Sequence, residues 1–157
     1  MKYWFLILFI LNSSLMNAQG SRDSVILVIN KLFDAMRNAD AKQLKTCFTD
    51  SAILQTIIMS PSGTAKVRTD QVNEFAAFLG KEAKGNADER IKFEAIHIDG
   101  ALASVWTPYS FYYKGSFSHC GVNSFQLVRL VTGWKIQYLI DTRRKEGCDE
   151  YTNNYKK

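Results

Sequence analysis

The chain has 157 residues, 46% of them hydrophobic and 22% charged, with a formal net charge of +5. That balance suits one domain with one core, and no internal repeat, low-complexity stretch or long linker divides the sequence. A basic balance suggests nucleic acid or an anionic surface as partner, and Arg143, Arg144, Lys145, Lys156 and Lys157 do cluster towards the C-terminus.

The first residues argue against nucleic acid, because they read as an export signal. Lys2 gives a short positive start, Trp4 to Leu11 an apolar run too short to span a bilayer, and Asn17-Ala18-Gln19 a cleavage point after Ala18. Met16 fits the recognition pattern imperfectly, and an uncleaved N-terminal anchor is the alternative. No cysteine follows the cut, which speaks against a lipoprotein. Removing residues 1–18 of 157 leaves 139 and takes away Lys2, so the charge falls from +5 to +4. The expectation is a periplasmic or extracellular domain with no nucleic-acid partner and no stable membrane insertion after signal removal.

Along the mature chain, Val25, Val28, Ile29, Leu32, Phe33 and Met36 recur at helical spacing, with Asp23 or Ser24 available as a cap. A shorter helix follows from Ala41 to Phe48. Ala52 to Ile58 reads as a strand ended by Pro61, Ser62 and Gly63, and a second short strand lies near Lys66 to Arg68. Val72, Phe75, Ala76 and Leu79 mark another helix that stops at Gly80. After a polar connection, Lys81 to Asn86, the rest reads as strand.

The turns of that last part suggest a register. A two-residue turn at Thr132-Gly133 sets Asn123 opposite Thr142, Phe125 opposite Ile140, Leu127 opposite Tyr138 and Arg129 opposite Ile136. Asp99-Gly100 sets Phe93 opposite Trp106, Ala95 opposite Ser104 and His97 opposite Leu102. Lys114-Gly115 then brings Trp106 opposite Asn123. One apolar face results, with Lys92, Glu94, Thr107, Gln126, Gln137 and Asp141 on the other. Pro108 is the weak point, since proline marks an edge or a bulge, and it leaves open whether Tyr109 or Tyr112 looks inward. Asp141 and Arg143 read as a local ion pair.

Three cysteines leave one over if a bridge forms. In this register Cys120 lies opposite Lys145, close in sequence to Cys148, so Cys120 and Cys148 are the candidate disulfide and Cys47 a buried thiol. Three packed free thiols remain the alternative.

Amphipathic helices packed into one side of a bent four-stranded meander are the layout of a known family. Phe33-Asp34-Ala35, Asn38-Ala39-Asp40, the segment CFTDSA from Cys47 to Ala52 and Gly133-Trp134-Lys135-Ile136 carry a resemblance to the nuclear transport factor 2-like superfamily, in its SnoaL-like, ketosteroid-isomerase-like branch. HCGVNSF with LIDTRR looks like a group of exported bacterial proteins described as lumazine-binding. The resemblance spans residues 23–148, within a single domain of residues 19–148 followed by a flexible tail, 149–157. It implies an α+β cone, a curved and mostly antiparallel sheet wrapped around the N-terminal helices, with one cavity and a small apolar or heteroaromatic ligand. It does not transfer a reaction.

Within that cone the expected register makes Phe93, Trp106, Phe125, Tyr138 and Trp134 walls, with Trp134 and Phe125 read more as core than as ligand contacts. Ser104, Asn123 and Thr142, with His119 and Arg144, supply polar groups. Arg144 is a candidate for an anionic group at the mouth. Ketosteroid-isomerase-like proteins use an inward carboxylate as base; here Glu94 and Asp141 point outward, Asp34 and Asp40 lie on the polar side of the first helix, and Asp50 reads as a turn residue. His119, with an ordinary pKa of about 6.5, and Tyr138 as donor are the catalytic candidates, against a structural histidine as the alternative.

Other chemistries lack a motif. His119 and Cys120 are adjacent on a strand and point to opposite faces, which separates nucleophile from base. His97 and His119 have no metal-ligand spacing, and no Gly-rich phosphate loop or nucleophile elbow is present, so no cofactor is expected. Three readings follow: a ligand-binding cone, an isomerase, cyclase or dehydratase using His119, and an interaction module that dimerises through Leu130, Val128, Val105 and Phe111 on the outer sheet face.

Overall fold

In the computed structural model, residues 4–60 and 62–148 are described, with side chains described from Gly20 onward. The expected export signal and the tail beyond Cys148 therefore lie outside the described side chains. The first helix, α1 (Trp4–Arg37), buries Val25, Ile29, Leu32, Phe33, Ala35 and Met36 and leaves Leu27 on its exposed side. The chain turns at Ala39, whose φ is 55°, and Asp40 caps α2 (Ala41–Thr46) by accepting from the Gln43 amide at 2.8 Å. This helix ends before the expected Phe48, because Phe48 opens β1 (Phe48–Met59), placing Asp50 in a strand and not a turn. β2 (Ala65–Asp70) folds back on β1, and α3 (Val72–Leu79) buries Ala76 and Leu79 before stopping at Gly80.

The remaining strands are β3 (Ala87–Ile91), β4 (Ala95–Asp99), β5 (Leu102–Tyr113), β6 (Ser116–Leu130) and β7 (Gly133–Thr142). The seven strands form one sheet in the order β2-β1-β7-β6-β5-β3, with β4 also paired to β5. Among the described residues only the β1–β7 pair is parallel. β3 and β4 lie end to end along β5, and the break between them meets Pro108, whose carbonyl accepts from Lys92 while its nitrogen has no proton to give. The concave face of the sheet packs on α1, where Phe33 meets Phe125 edge-on at 6.2 Å.

The register differs from the expected one in four places, and the two bulges among them decide which side chains face inward. The β6–β7 turn is Val131-Thr132, with Leu130 opposite Gly133, so Gly133 follows the turn at φ 105° and does not form it. Gly100-Ala101, not Asp99-Gly100, closes β4–β5, which sets Ala95 opposite Trp106. The Lys114-Gly115 turn falls where expected, with Tyr113 opposite Ser116. Two bulges then intervene. Ser118 is an extra residue in β6, between the Tyr112–Phe117 and Phe111–His119 pairs. Gln137 is an extra residue in β7, between the Leu127–Ile136 and Gln126–Tyr138 pairs.

Each bulge exchanges the two faces of the strand beyond it. On β5, Ala103, Val105, Thr107 and Tyr109 are buried inward, while Ser104 and Trp106 turn outward; Trp106 is 44% exposed and stands opposite Ser124, not Asn123. The concave side of β5 meets α1 and Phe125, where Ala103 and Val105 fit and an indole does not. On β7, Leu139 and Asp141 turn inward beside Phe125 and Asn123, and Tyr138, Ile140 and Thr142 turn outward. Thr107 and Asp141 are thus inner residues, contrary to the expected outer face. Of the expected outer contacts, Val105 is buried in the core and Phe111 faces the concave side, leaving Val128 and Leu130 outside.

Cys120 and Cys148 form a disulfide, with Cα atoms 5.7 Å apart, and Cys47 is a buried free thiol. The bridge draws the chain after β7 back across β6. There Arg144, not the expected Lys145, faces Cys120, exchanging both backbone hydrogen bonds at 2.9 Å.

Candidate functional site

Between α1, α3 and the concave sheet lies an open cavity of about 970 Å³. Its walls are apolar: Leu32, Phe33 and Met36 from α1, Phe75 and Phe78 from α3, Leu54 from β1, Phe111 from β5 and Leu139 from β7. Exposed Arg68, Glu74 and Lys145 ring the opening together with Arg144. The polar groups are gathered on neighbouring strands as Glu89 on β3, Tyr109 on β5, Asn123 on β6, Asp141 on β7 and Thr56 on β1. A ligand in such a space would meet oil on most sides and a few fixed polar atoms on one, the arrangement that gives a small-molecule site its orientation.

The two carboxylates of this floor have unequal partners. Asp141 accepts from Thr56 Oγ1 at 2.6 Å, Tyr109 Oη at 3.2 Å and Arg143 Nε at 2.9 Å. Arg143 also donates to Thr56 Oγ1 at 3.2 Å, closing a ring of three side chains. Glu89 accepts from Asn123 Nδ2 at 2.7 Å, its one hydrogen-bond partner among the described residues. Burial, reinforced by the negative charge of Asp141, pushes the Glu89 carboxyl up to about 7 against the opposing pull of Asn123 and Arg143. Near neutrality it is therefore divided between its two protonation states. Burial first, then the charges of Glu89 and Asp141, raises the Tyr109 phenol above its ordinary value, so it stays a neutral donor, to Asp141 and to the Thr142 carbonyl at 2.9 Å.

His119 lines the same cavity, edge-on to Tyr109 at 5.7 Å and tilted against Phe111 at 5.0 Å, with its Nδ1 3.0 Å from Ser118 Oγ. Burial, with the charges of Arg143 and Lys145, drives it down to about 4, although Asp141 pulls the other way. It is thus a neutral ring at ordinary pH and a weak base, which corrects the expectation of a histidine poised near neutrality.

Of the residues expected in the site, the cavity brings together His119, Asn123 and Arg144. Ser104 and Trp106 lie on the other side of the sheet, turned there by the Ser118 bulge. Tyr138 and Thr142 lie there too, turned by the Gln137 bulge: Tyr138 donates to Gln55 Oε1 at 2.7 Å, and Thr142 Oγ1 accepts from the Val122 amide at 3.1 Å. Phe93 packs against the core in the gap between β3 and β4, and Phe125 and Trp134 are core residues. Glu89 and Thr56 were missed, the expected Asp141–Arg143 ion pair forms but on the inner face, and the inward tyrosine left open beside Pro108 is Tyr109. The sequence carries no signal for Asp141, because Ile136, Tyr138 and Ile140 keep a regular apolar alternation straight through Gln137. Glu89 has none, for it lies within Ala87-Asp88-Glu89-Arg90 like any solvated charge. Among the described residues, no group of three or more His, Cys, Asp or Glu side chains is placed to hold a metal.

Fold and site together define an α+β cone with a ligand-sized, apolar-walled cavity and a carboxylate floor. Among solved structures, the chain is similar to a nuclear transport factor 2-like protein with a cystatin-like fold from Novosphingobium aromaticivorans, with a TM-score of 0.64 at 11% identity, covering 92% of this chain and 95% of that one. It is similar to a protein of the same kind and of unknown function from Silicibacter pomeroyi, with a TM-score of 0.64 at 13% identity over 81% of this chain and 98% of that one. A third, from Shewanella baltica and also of unknown function, has a TM-score of 0.62 at 13% identity over 80% and 94%. At these identities the likeness is one of fold, and the chain has the nuclear transport factor 2-like fold. No family model matches the chain, and no curated protein matches it.

Proposed function

We propose that this protein is exported and holds a small, largely apolar or heteroaromatic molecule in the cone cavity, by a polar edge that meets Glu89 and Asn123. The observation that carries this reading is the composition of the cavity: about 970 Å³ walled by aliphatic and aromatic side chains, with Glu89 held by one hydrogen bond. A core meant only to pack would fill that space, because voids of this size forfeit contacts on every side. The heteroaromatic part rests on the sequence resemblance and the aromatic walls. Native mass spectrometry of the full chain expressed and purified from an envelope fraction, followed by denaturing analysis of what is released, tests it. A stoichiometric small molecule supports the reading; an empty protein that also fails to take up Nile red, a neutral apolar dye, overturns it.

A second reading is favoured by Glu89 itself. A carboxyl at about 7 can both accept and donate a proton near neutrality, so an isomerase, cyclase or dehydratase chemistry would use Glu89 where the sequence suggests His119. Glu89→Gln would then abolish turnover of the released molecule while sparing its binding. Dimerisation through the outer sheet face is a third proposal, supported by exposed Leu102, Trp106 and Leu130 on that face, at 50%, 44% and 48%. A monomer at all concentrations in analytical ultracentrifugation would remove it.

A further inference from the structure

Resting on the ligand-binding reading, we propose that the ligand class is a lipophilic amine or a protonated nitrogen heterocycle, its cationic nitrogen seated against Glu89. Asp141 and Glu89 share the floor with Arg143, and Arg143 is bonded to Asp141 at 2.9 Å. His119 stays neutral and supplies no counter-charge. On the other side of Glu89 a second cleft of about 540 Å³ opens between α1 and β3, and its arginines are occupied as well. Arg37 bonds Asp34 at 3.0 Å and Asp88 at 2.9 Å, and Arg90 bonds Asp88 at 2.9 Å. Each buried or half-buried aspartate around the site thus has a guanidinium, whereas Glu89 has an amide.

A half-buried carboxylate that is bonded to an amide and feels Arg143 only at a distance is costly, and a cation entering the cavity lowers that cost. The walls suit the same guest. Phe111 is the cross-strand neighbour of Glu89, and Phe33 and Tyr109 also line the cavity, so aromatic rings share the space in which the nitrogen would sit. An anionic head would instead meet two acidic groups. Because Glu89 is partly protonated near pH 7, an amine that arrives charged makes it ionise, and binding releases a fraction of a proton to the buffer.

The test is calorimetric titration of the whole protein with phenethylamine, phenethyl alcohol and phenylacetate, which share a ring and differ in the head. For the wild type, the amine is expected to bind about ten-fold tighter than the alcohol, with the carboxylate weakest. Glu89→Gln, isosteric and able to keep Asn123 as neighbour, is expected to erase the amine's advantage. Should that variant not fold, the wild type alone decides: lowering the pH from about 8 to about 5 protonates Glu89, leaves His119 neutral, and is expected to shrink the same ratio towards one. Equal affinity for amine and alcohol, or an amine preference that survives Glu89→Gln or acid, overturns the inference and leaves the cavity reading standing. Exclusion of Nile red as well overturns the cavity reading beneath it.

Discussion

Gly121 of β6 lies so close to Thr142 of β7 that a Cβ there would stand 1.8 Å from the Thr142 carbonyl oxygen and 2.9 Å from the Tyr109 ring. That carbonyl is the one Tyr109 Oη donates to, so the absence of a side chain at residue 121 sets the approach that holds the phenol on Asp141. The obstructing atom is backbone and cannot swing aside. Gly121→Ala should cost about 2–4 kcal/mol in urea unfolding, as an overpacked buried site does. A loss below about 0.5 kcal/mol would show that β6 and β7 are not this close.

Glu89 and His119 give opposite pH dependences that nearly cancel. Glu89 is raised from 4.5 to about 7 on folding, so between those values the folded chain holds the extra proton and stability falls as pH rises. His119 is lowered from 6.5 to about 4, so between those values the unfolded chain holds the extra proton and stability rises with pH. Each contributes a slope of about 1.4 kcal/mol per pH unit. Relative to wild type, Glu89→Gln should therefore gain stability as pH climbs through that window, and His119→Phe should gain it as pH falls. Difference curves from urea unfolding at several pH values check both, and a flat curve for either variant refutes its assignment.

Cys120 and Cys148 close a loop with a sequence separation of 28, which corresponds to about 3–4 kcal/mol of unfolded-state entropy. The double variant Cys120→Ser, Cys148→Ser should lose that amount. A simpler check is alkylation. Burial raises the Cys47 thiol, so the native protein should resist iodoacetamide, and the unfolded, unreduced protein should take up one label. Three labels would mean that no bridge is present.

Trp106 and Phe111 separate the two sheet faces in one experiment. Trp106→Ala, on the exposed face, should leave Nile red affinity unchanged. Phe111→Ala removes a cavity wall and should weaken binding about ten-fold, the scale of one buried aromatic contact. The reverse outcome would restore the register expected from regular strands.

How much of this was legible is clearest along β6 and its neighbours. Asn123, Phe125 and Leu127 face inward as the sequence suggests, and the Lys114-Gly115 turn falls where its residues demand, with φ of 51° and 78°. A turn is a local event that its own residues specify. The bulges at Ser118 and Gln137 are not local in this sense. Neither residue favours a bulge by type; each is an extra residue accommodated because the next inward side chains, His119 with Phe111 and Leu139 with Phe125, fit the concave face. One extra residue reverses a whole strand, which is why Trp106, Ser104, Tyr138 and Thr142 left the site together while Asp141 entered it.

Helix periodicity, the Lys114-Gly115 turn and the inward alternation of Asn123, Phe125 and Leu127 were settled by the sequence itself, because each depends on neighbours within a few residues. The α+β cone was implied by the family resemblance that Phe33-Asp34-Ala35, CFTDSA and Gly133-Trp134-Lys135-Ile136 carry, and the fold bears it out. The floor was decided by tertiary structure alone. Glu89 and Asp141 are far apart in the chain, and nothing near either residue states that β3 and β7 will turn both acids into one cavity. The arginine of Asp141 lies two residues along its own strand, as the sequence suggests, whereas Glu89 meets its amide partner Asn123 only once the sheet has closed around α1.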